Sequence, residues 1–212
     1  MRLGTFRSVL TLWLVICVTG VAAGGTAGAQ TNPFTDIGGS YAQQQILDLY
    51  ARGVISGKGK GLFDPYAPIT RAEFVTMMER ALGVQPLSSS VPSFHDVSRD
   101  FWAYPYVQAG TGLGIVSGTG PDVFQPLISV NRQEVAAFLV RALERNQVGA
   151  QAPGELPFAD AVRIAPWARL FVAEASRLGL IKGDESGFRP LDPITREETA
   201  VVLWRVLQDP RW

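Results

Sequence analysis

One pattern occurs three times along this chain, and no other property limits its fold so tightly. Phe34-Thr35-Asp36, Phe94-His95-Asp96 and Phe158-Ala159-Asp160 each open a copy, and each is followed by an aromatic residue, Tyr41, Trp102 or Trp167. Twelve residues after that ring comes a glycine that starts a Gly-apolar-apolar-x-Gly string. These strings are Gly53-Val54-Ile55-Ser56-Gly57, Gly114-Ile115-Val116-Ser117-Gly118 and Gly179-Leu180-Ile181-Lys182-Gly183. Phe63-Asp64-Pro65, Phe124-Gln125-Pro126 and Phe188-Arg189-Pro190 come next. Thr70-Arg71-Ala72-Glu73, Asn131-Arg132-Gln133-Glu134 and Thr195-Arg196-Glu197-Glu198 complete the copies. Openings about 60 residues apart mark a repeat architecture.

The first 29 residues read as a segment apart from the fold. Arg2 and Arg7 are followed by the apolar stretch Val9 to Ala23, and Ala27-Gly28-Ala29 before Gln30 has the small-x-small form of a cleavage site. That is the layout of a secretory signal, with an apolar stretch short for a membrane span. A signal retained as an anchor is the other reading. Cleavage would leave Gln30 to Trp212 and remove Cys17, the only cysteine. No disulfide framework or cysteine metal site is then available, and the single histidine, His95, makes no histidine cluster. No metal or other cofactor is expected. The chain has zero formal net charge, and loss of Arg2 and Arg7 tips the remainder slightly acidic. Neither nucleic acid nor, after cleavage, a membrane surface has an electrostatic footprint to meet.

Each copy reads as helix, loop, helix. In the first, Asp36 and the small polar residues after it are a start signal for a helix from about Tyr41 to Arg52, with Ile46, Leu49 and Tyr50 on one buried stripe. Gly53 takes the left-handed position beyond that helix, where a side chain would be penalised. Val54-Ile55 returns to the core, and Phe63 and Pro65 fasten the loop. Thr70 with Glu73, Asn131 with Glu134 and Thr195 with Glu198 are cap-and-box pairs that start the second helices. Their apolar faces are Phe74, Met77, Met78, Ala81 and Leu82 in copy one, Val135, Phe138, Leu139 and Ala142 in copy two, and Thr199, Val202, Leu203 and Val206 in copy three. Residues 83–93 and 144–157 read as linkers. Units this small bury too little surface alone, so the three are expected to pack into one body.

Helix capping accounts for the Thr and Glu of the last motif but not for Arg71, Arg132 and Arg196. They occupy the first helical position, where the helix dipole disfavours a cation. Two readings stand. The arginine clamps the fold by pairing with Asp36, Asp96 or Asp160 of its own or a neighbouring copy. Or it points into a groove, where a guanidinium and free helix-start amides make a carboxylate or phosphate site, with the nearby aromatic as a platform for a sugar ring. His95 stands where the other copies have Thr35 and Ala159 and reads as an exposed, variable position. Gly57-Lys58-Gly59-Lys60-Gly61 lacks the Gly-Lys-Ser/Thr of a phosphate loop, and no nucleophile, base and orienter come together, so the chain does not read as an enzyme.

The motif set resembles the S-layer homology domain as a tandem of three, covering Phe34 to about Leu207, with Ile69-Thr70-Arg71-Ala72-Glu73 its most recognisable string. The repeats are drawn as 30–84, 94–145 and 158–208. The resemblance implies an all-α body of three prongs with pseudo-threefold packing. It also implies grooves between prongs that hold secondary cell-wall polysaccharide, often through a pyruvylated amino sugar. Residues expected at the ligand are Arg71, Arg132 and Arg196, then Asp36, Asp96 and Asp160, then Trp102 and Trp167 with Tyr41 in the first copy, then Gly57, Gly118 and Gly183.

Departures rank the grooves. Asn131 and Gln133 weaken the copy-two string, Glu197 adds a negative charge beside Arg196, and the groove that uses Arg71 is expected to be the most competent. Only Gln208 to Trp212 follows the third copy, so the chain reads as an anchor without cargo, secreted and held at the cell wall. The alternative is a protein–protein adaptor or self-assembling surface-layer component, with a surface-protein partner and structural arginines.

Overall fold

The computed structural model describes residues 32–89, 91–145 and 156–212. The expected signal segment and most of the second linker lie outside the described residues. Two helices come from each copy: α1 (Gln43–Ala51) and α2 (Arg71–Ala81), α3 (Tyr104–Gly112) and α4 (Arg132–Arg145), α5 (Arg169–Arg177) and α6 (Arg196–Gln208). Two short 3-10 turns, Ala161–Arg163 and Pro166–Ala168, precede α5. Among the described residues there is no strand beyond isolated bridges, and the fold is all-α.

The second helices begin where their caps require. Thr70 and Thr195 each accept from the amide three residues on, and the Glu73 and Glu198 carboxylates accept from the cap amides. Asn131 and Glu134 make the same reciprocal pair, both bonds at 3.0 Å. The first helices have no side-chain cap. α1 starts at Gln43, later than the spacing predicts, because Asp36 is not its cap. The Asp36 carboxylate accepts from the amides of Phe63 and Asp64 at 2.9 and 2.7 Å. At the ends of these helices Gly53, Gly114 and Gly179 take φ of 70°, 72° and 71°, the left-handed turn that lets the chain double back to the core.

Tertiary packing compensates the uncapped helices, and it comes from other copies. α3 packs on α2, α5 on α4 and α1 on α6, so each first helix lies against the second helix of the preceding copy, with the last meeting the first. The same cycle runs through the backbone. Val130 N donates to Ile69 O at 3.0 Å, Ile194 N to Val130 O at 3.1 Å and Ile69 N to Ile194 O at 3.1 Å, closing a ring of fully buried residues. A single core runs from Phe34 to Val206 and joins all three copies. The expected buried faces of α2, α4 and α6 enter it, as do Ile46 and Leu49, while Tyr50 is left outside it, 43% exposed with its ring edge-on to Phe34.

Candidate functional site

At the start of α2, α4 and α6 the amides that would otherwise be free are already taken. Arg71, Arg132 and Arg196 donate through their backbone N–H groups to Ile128, Asp192 and Ala67, and the next residues donate to the carbonyls of Pro126, Pro190 and Pro65. The Phe-x-Pro loop of one copy is therefore the socket for the Thr-Arg-x-Glu start of another. An anion site built on free helix-start amides does not exist here.

The guanidinium groups complete the same joint. Arg71 Nε donates to Phe124 O at 2.8 Å, Nη2 to Ser117 O at 3.0 Å, and Nη1 pairs with Glu134 at 2.7 Å. Arg132 reaches Phe188 O at 2.8 Å, Lys182 O at 2.6 Å and Glu198 at 3.2 Å. Arg196 reaches Phe63 O at 2.7 Å, Ser56 O at 2.9 Å and Glu73 at 3.6 Å. Each plane also stacks over a phenylalanine of its socket: Phe124 at 4.9 Å, Phe188 at 5.3 Å and Phe63 at 4.5 Å. Burial pulls all three arginines below their ordinary pKa, and the paired glutamates oppose that shift. The clamp partner is thus the capping glutamate of a neighbouring copy, not the aspartate that spacing suggested. Glutamate wins because its second oxygen is left over after the box is made.

Asp36, Asp96 and Asp160 hold the sockets in shape. Asp96 accepts from Phe124 and Gln125 at 2.9 and 2.7 Å, and Asp160 from Phe188 and Arg189 at 2.7 Å each. These bonds pin Asp64, Gln125 and Arg189 in left-handed backbone with φ of 61°, 59° and 57°. Gly57, Gly118 and Gly183 are needed for close approach: a Cβ there would come within 2.7, 2.7 and 2.8 Å of Phe34, Phe94 and Phe158 Cε1.

Six of the expected site residues converge in two grooves, each drawing on all three copies, while Asp36, Asp96 and Asp160 line neither. One groove of about 500 Å³ brings together Arg71, Gly118 and Trp167 with Thr119, Glu134, Phe138 and Arg141. A second, of about 240 Å³, brings together Arg196, Gly57 and Trp102 with Lys58, Glu73, Met77 and Arg80. Trp102 and Trp167 are 54% and 50% exposed, so their rings are available to a ligand. In the second groove Lys58 pairs with Glu73 at 2.5 Å, whereas Thr119 stands in its place in the first. At the third position Asp184 replaces them, and Arg189 pairs with it and with Glu198, both at 3.1 Å. Tyr41 belongs there: although 67% exposed, its hydroxyl is pushed up to about 12 by desolvation and by the Glu198 and Glu197 carboxylates.

Glu197 itself faces elsewhere, accepting from Ser40 Oγ at 2.6 Å, and Gln133 accepts from the Ala165 amide at 3.0 Å. Both fasten the segment that carries the next aromatic, so Glu197 is a positioning contact and not a charge laid into the groove beside Arg196. Sequence reasoning missed Arg80, Arg141 and Arg205, each nine residues past a motif arginine. That constant spacing was the available signal. Arg141 donates to Ser117 Oγ at 2.7 Å and lies 4.8 Å over Phe171; Arg80 lies 5.2 Å over Tyr106. Neither is locked by carbonyls as the motif arginines are, so these are the groove cations with donors to offer.

A chain of three such copies matches the S-layer homology domain at residues 33–75, 93–136 and 157–200. It belongs to that family, a class of cell-surface modules that anchor proteins to the cell wall. It is 35% identical over 188 residues to the Surface-layer 125 kDa protein of Lysinibacillus sphaericus, covering 86% of this chain and 15% of that protein. Against the Endoglucanase of Bacillus sp. (strain KSM-635) it is 34% identical over 220 residues, covering 97% and 23%. Against the S-layer protein sap of Bacillus anthracis it is 29% identical over 187 residues, covering 88% and 22%. The chain thus spans less than a quarter of the length of each of these relatives. Among the described residues no helix is long and apolar enough to cross a membrane.

Proposed function

We propose that this chain is a non-catalytic anchor that holds secondary cell-wall polysaccharide in grooves on a pseudo-threefold, three-pronged body. The observation that carries this reading is the groove of about 500 Å³ lined by exposed Trp167 and by Arg141, a volume in the range of small-ligand sites. The Trp face takes a sugar ring and the guanidinium a carboxylate, such as that of a pyruvyl ketal. The groove of Trp102, Lys58 and Arg80 serves the same chemistry in a smaller space. Arg71, Arg132 and Arg196 form the groove floors and keep the copies joined.

The alternative, an adaptor for a surface-protein partner, shares those structural arginines. The two readings part over Arg141 and Trp167, which line a groove without clamping any copy. Sedimentation with purified sacculi, before and after chemical removal of pyruvyl ketals, decides between them. Pelleting that is lost with the ketals and in Arg141→Ala and Trp167→Ala is expected; no pelleting of the native chain overturns wall binding and favours the partner.

A further inference from the structure

Glu79, in the last turn of α2, is 0% exposed, and neither of its carboxylate oxygens has a hydrogen-bond partner. It faces α3 of copy two. Its Oε1 lies where a Cβ on residue 110 would stand, so the seam closes only because that position is glycine. Val116, whose amide donates to Gly110 O at 3.0 Å, covers the same point. The matching places on α4 and α6 are Val140 and Trp204, so neither of those helices carries an acid at this place.

No neighbouring charge accounts for it. On α2, Arg80 turns to Tyr106, and Glu73 sits at the far end with Lys58. From α3, Tyr104 donates to Ser89 O. From α6, Arg205 donates to Leu180 O, and Asp209 beyond its end is paired with Arg211. Burial pushes the Glu79 carboxyl up to about 8, and the adjacent Gly110 amide acts in the opposite direction.

We propose that Glu79 makes the α2–α3 seam a pH-sensitive latch, closed while the carboxyl keeps its proton and opened as it ionises, so that Trp102 leaves the groove of Arg80. The effect on binding rests on the wall-anchoring reading, but the latch can be measured without any ligand. An exposed glutamate loses its proton near 4.5 and this one near 8. Opening therefore releases a proton within that window. The closed seam is fully favoured below the lower value, and the open fraction rises by up to tenfold per pH unit until the upper one.

Amide exchange of α3 in the full chain, corrected for intrinsic rates, tests this. Between pH 6 and 7.5 the opening constant of α3 is expected to rise by up to about 30-fold while that of α5 does not, and Glu79→Gln should flatten the rise. The same pH dependence in Glu79→Gln and the native chain overturns the latch. If Glu79→Gln does not fold, a carboxyl-carbon NMR titration of the native chain decides. A Glu79 midpoint near 8 supports the latch and one below 6 overturns it. Opening that persists in a chain that pellets with no sacculi at any pH supports the latch and removes only the wall-binding reading.

Discussion

Replacing Arg71 with alanine separates the structural arginines from the groove arginines. The guanidinium is buried, donates to two carbonyls of copy two and pairs with Glu134 at 2.7 Å. Truncation leaves a carboxylate and two carbonyls without their donor at the joint between copies. Breaking a buried pair costs about 3–5 kcal/mol, and the carbonyl bonds overlap with that loss and do not simply add to it. The expected cost is about 4 kcal/mol, read as a lower urea midpoint at constant slope. Arg71→Lys keeps the charge but cannot span both carbonyls, so about half of that loss is expected. Arg141→Ala gives up one bond to Ser117 Oγ and a stack on Phe171, and should cost about 1 kcal/mol or less. An Arg71→Ala variant that loses under about 1 kcal/mol, or no more than Arg141→Ala, refutes the clamp.

Two further outcomes follow from the sockets. Gly118→Ala would press a Cβ into the Val123 carbonyl and to 2.7 Å from Phe94 Cε1, and overpacking of this kind should cost about 2 kcal/mol or more by urea unfolding although its φ is not left-handed. Burial acts to raise the Asp36 pKa, but the Phe63 and Asp64 amides outweigh it and hold the carboxyl below its ordinary range. Its contribution is therefore present above the unfolded value near 3.8 and lost as pH falls through the folded one. Asp36→Asn should lower the urea midpoint at pH 6 and make it less steeply dependent on pH below 4; an unchanged acid limb would show that the two amide bonds are not made.

What could be read from the residues was local. Capping boxes, left-handed glycines and the buried faces of α2, α4 and α6 depend on spacings within one copy, and spacing is what a sequence displays. The partners of the motifs were not legible, because a repeat looks the same whether its arginine meets its own copy or the next. Asp36 was misread for a related reason. An aspartate ahead of a polar stretch satisfies the pattern of a helix cap, yet its oxygens hold a loop far along the chain. Glu79 sits among apolar residues with nothing in its neighbours to tell a buried acid from an exposed one, and Arg80, Arg141 and Arg205 fall amid the helical face that packing explains.

The cyclic joint explains why some residues recur in every copy and others do not. Arginine, its capping glutamate, the socket phenylalanine and proline, the loop-holding aspartate and the close-approach glycine are the same in all three, since each is one side of a contact repeated around the ring. Residues that face the grooves are released from that constraint. Lys58, Thr119 and Asp184 occupy one equivalent place, and Met77, Phe138 and Val202 another. So do Gln45, Tyr106 and Phe171, which decide whether the groove arginine has a ring to lie on. Copies interchangeable as building units thus present different side chains to the grooves. Arg189, reaching Asp184 and Glu198 at the third position, takes up polar groups that the proposed ligand would need. Affinity at the three positions should therefore follow the variable residues and not the motif that all three share.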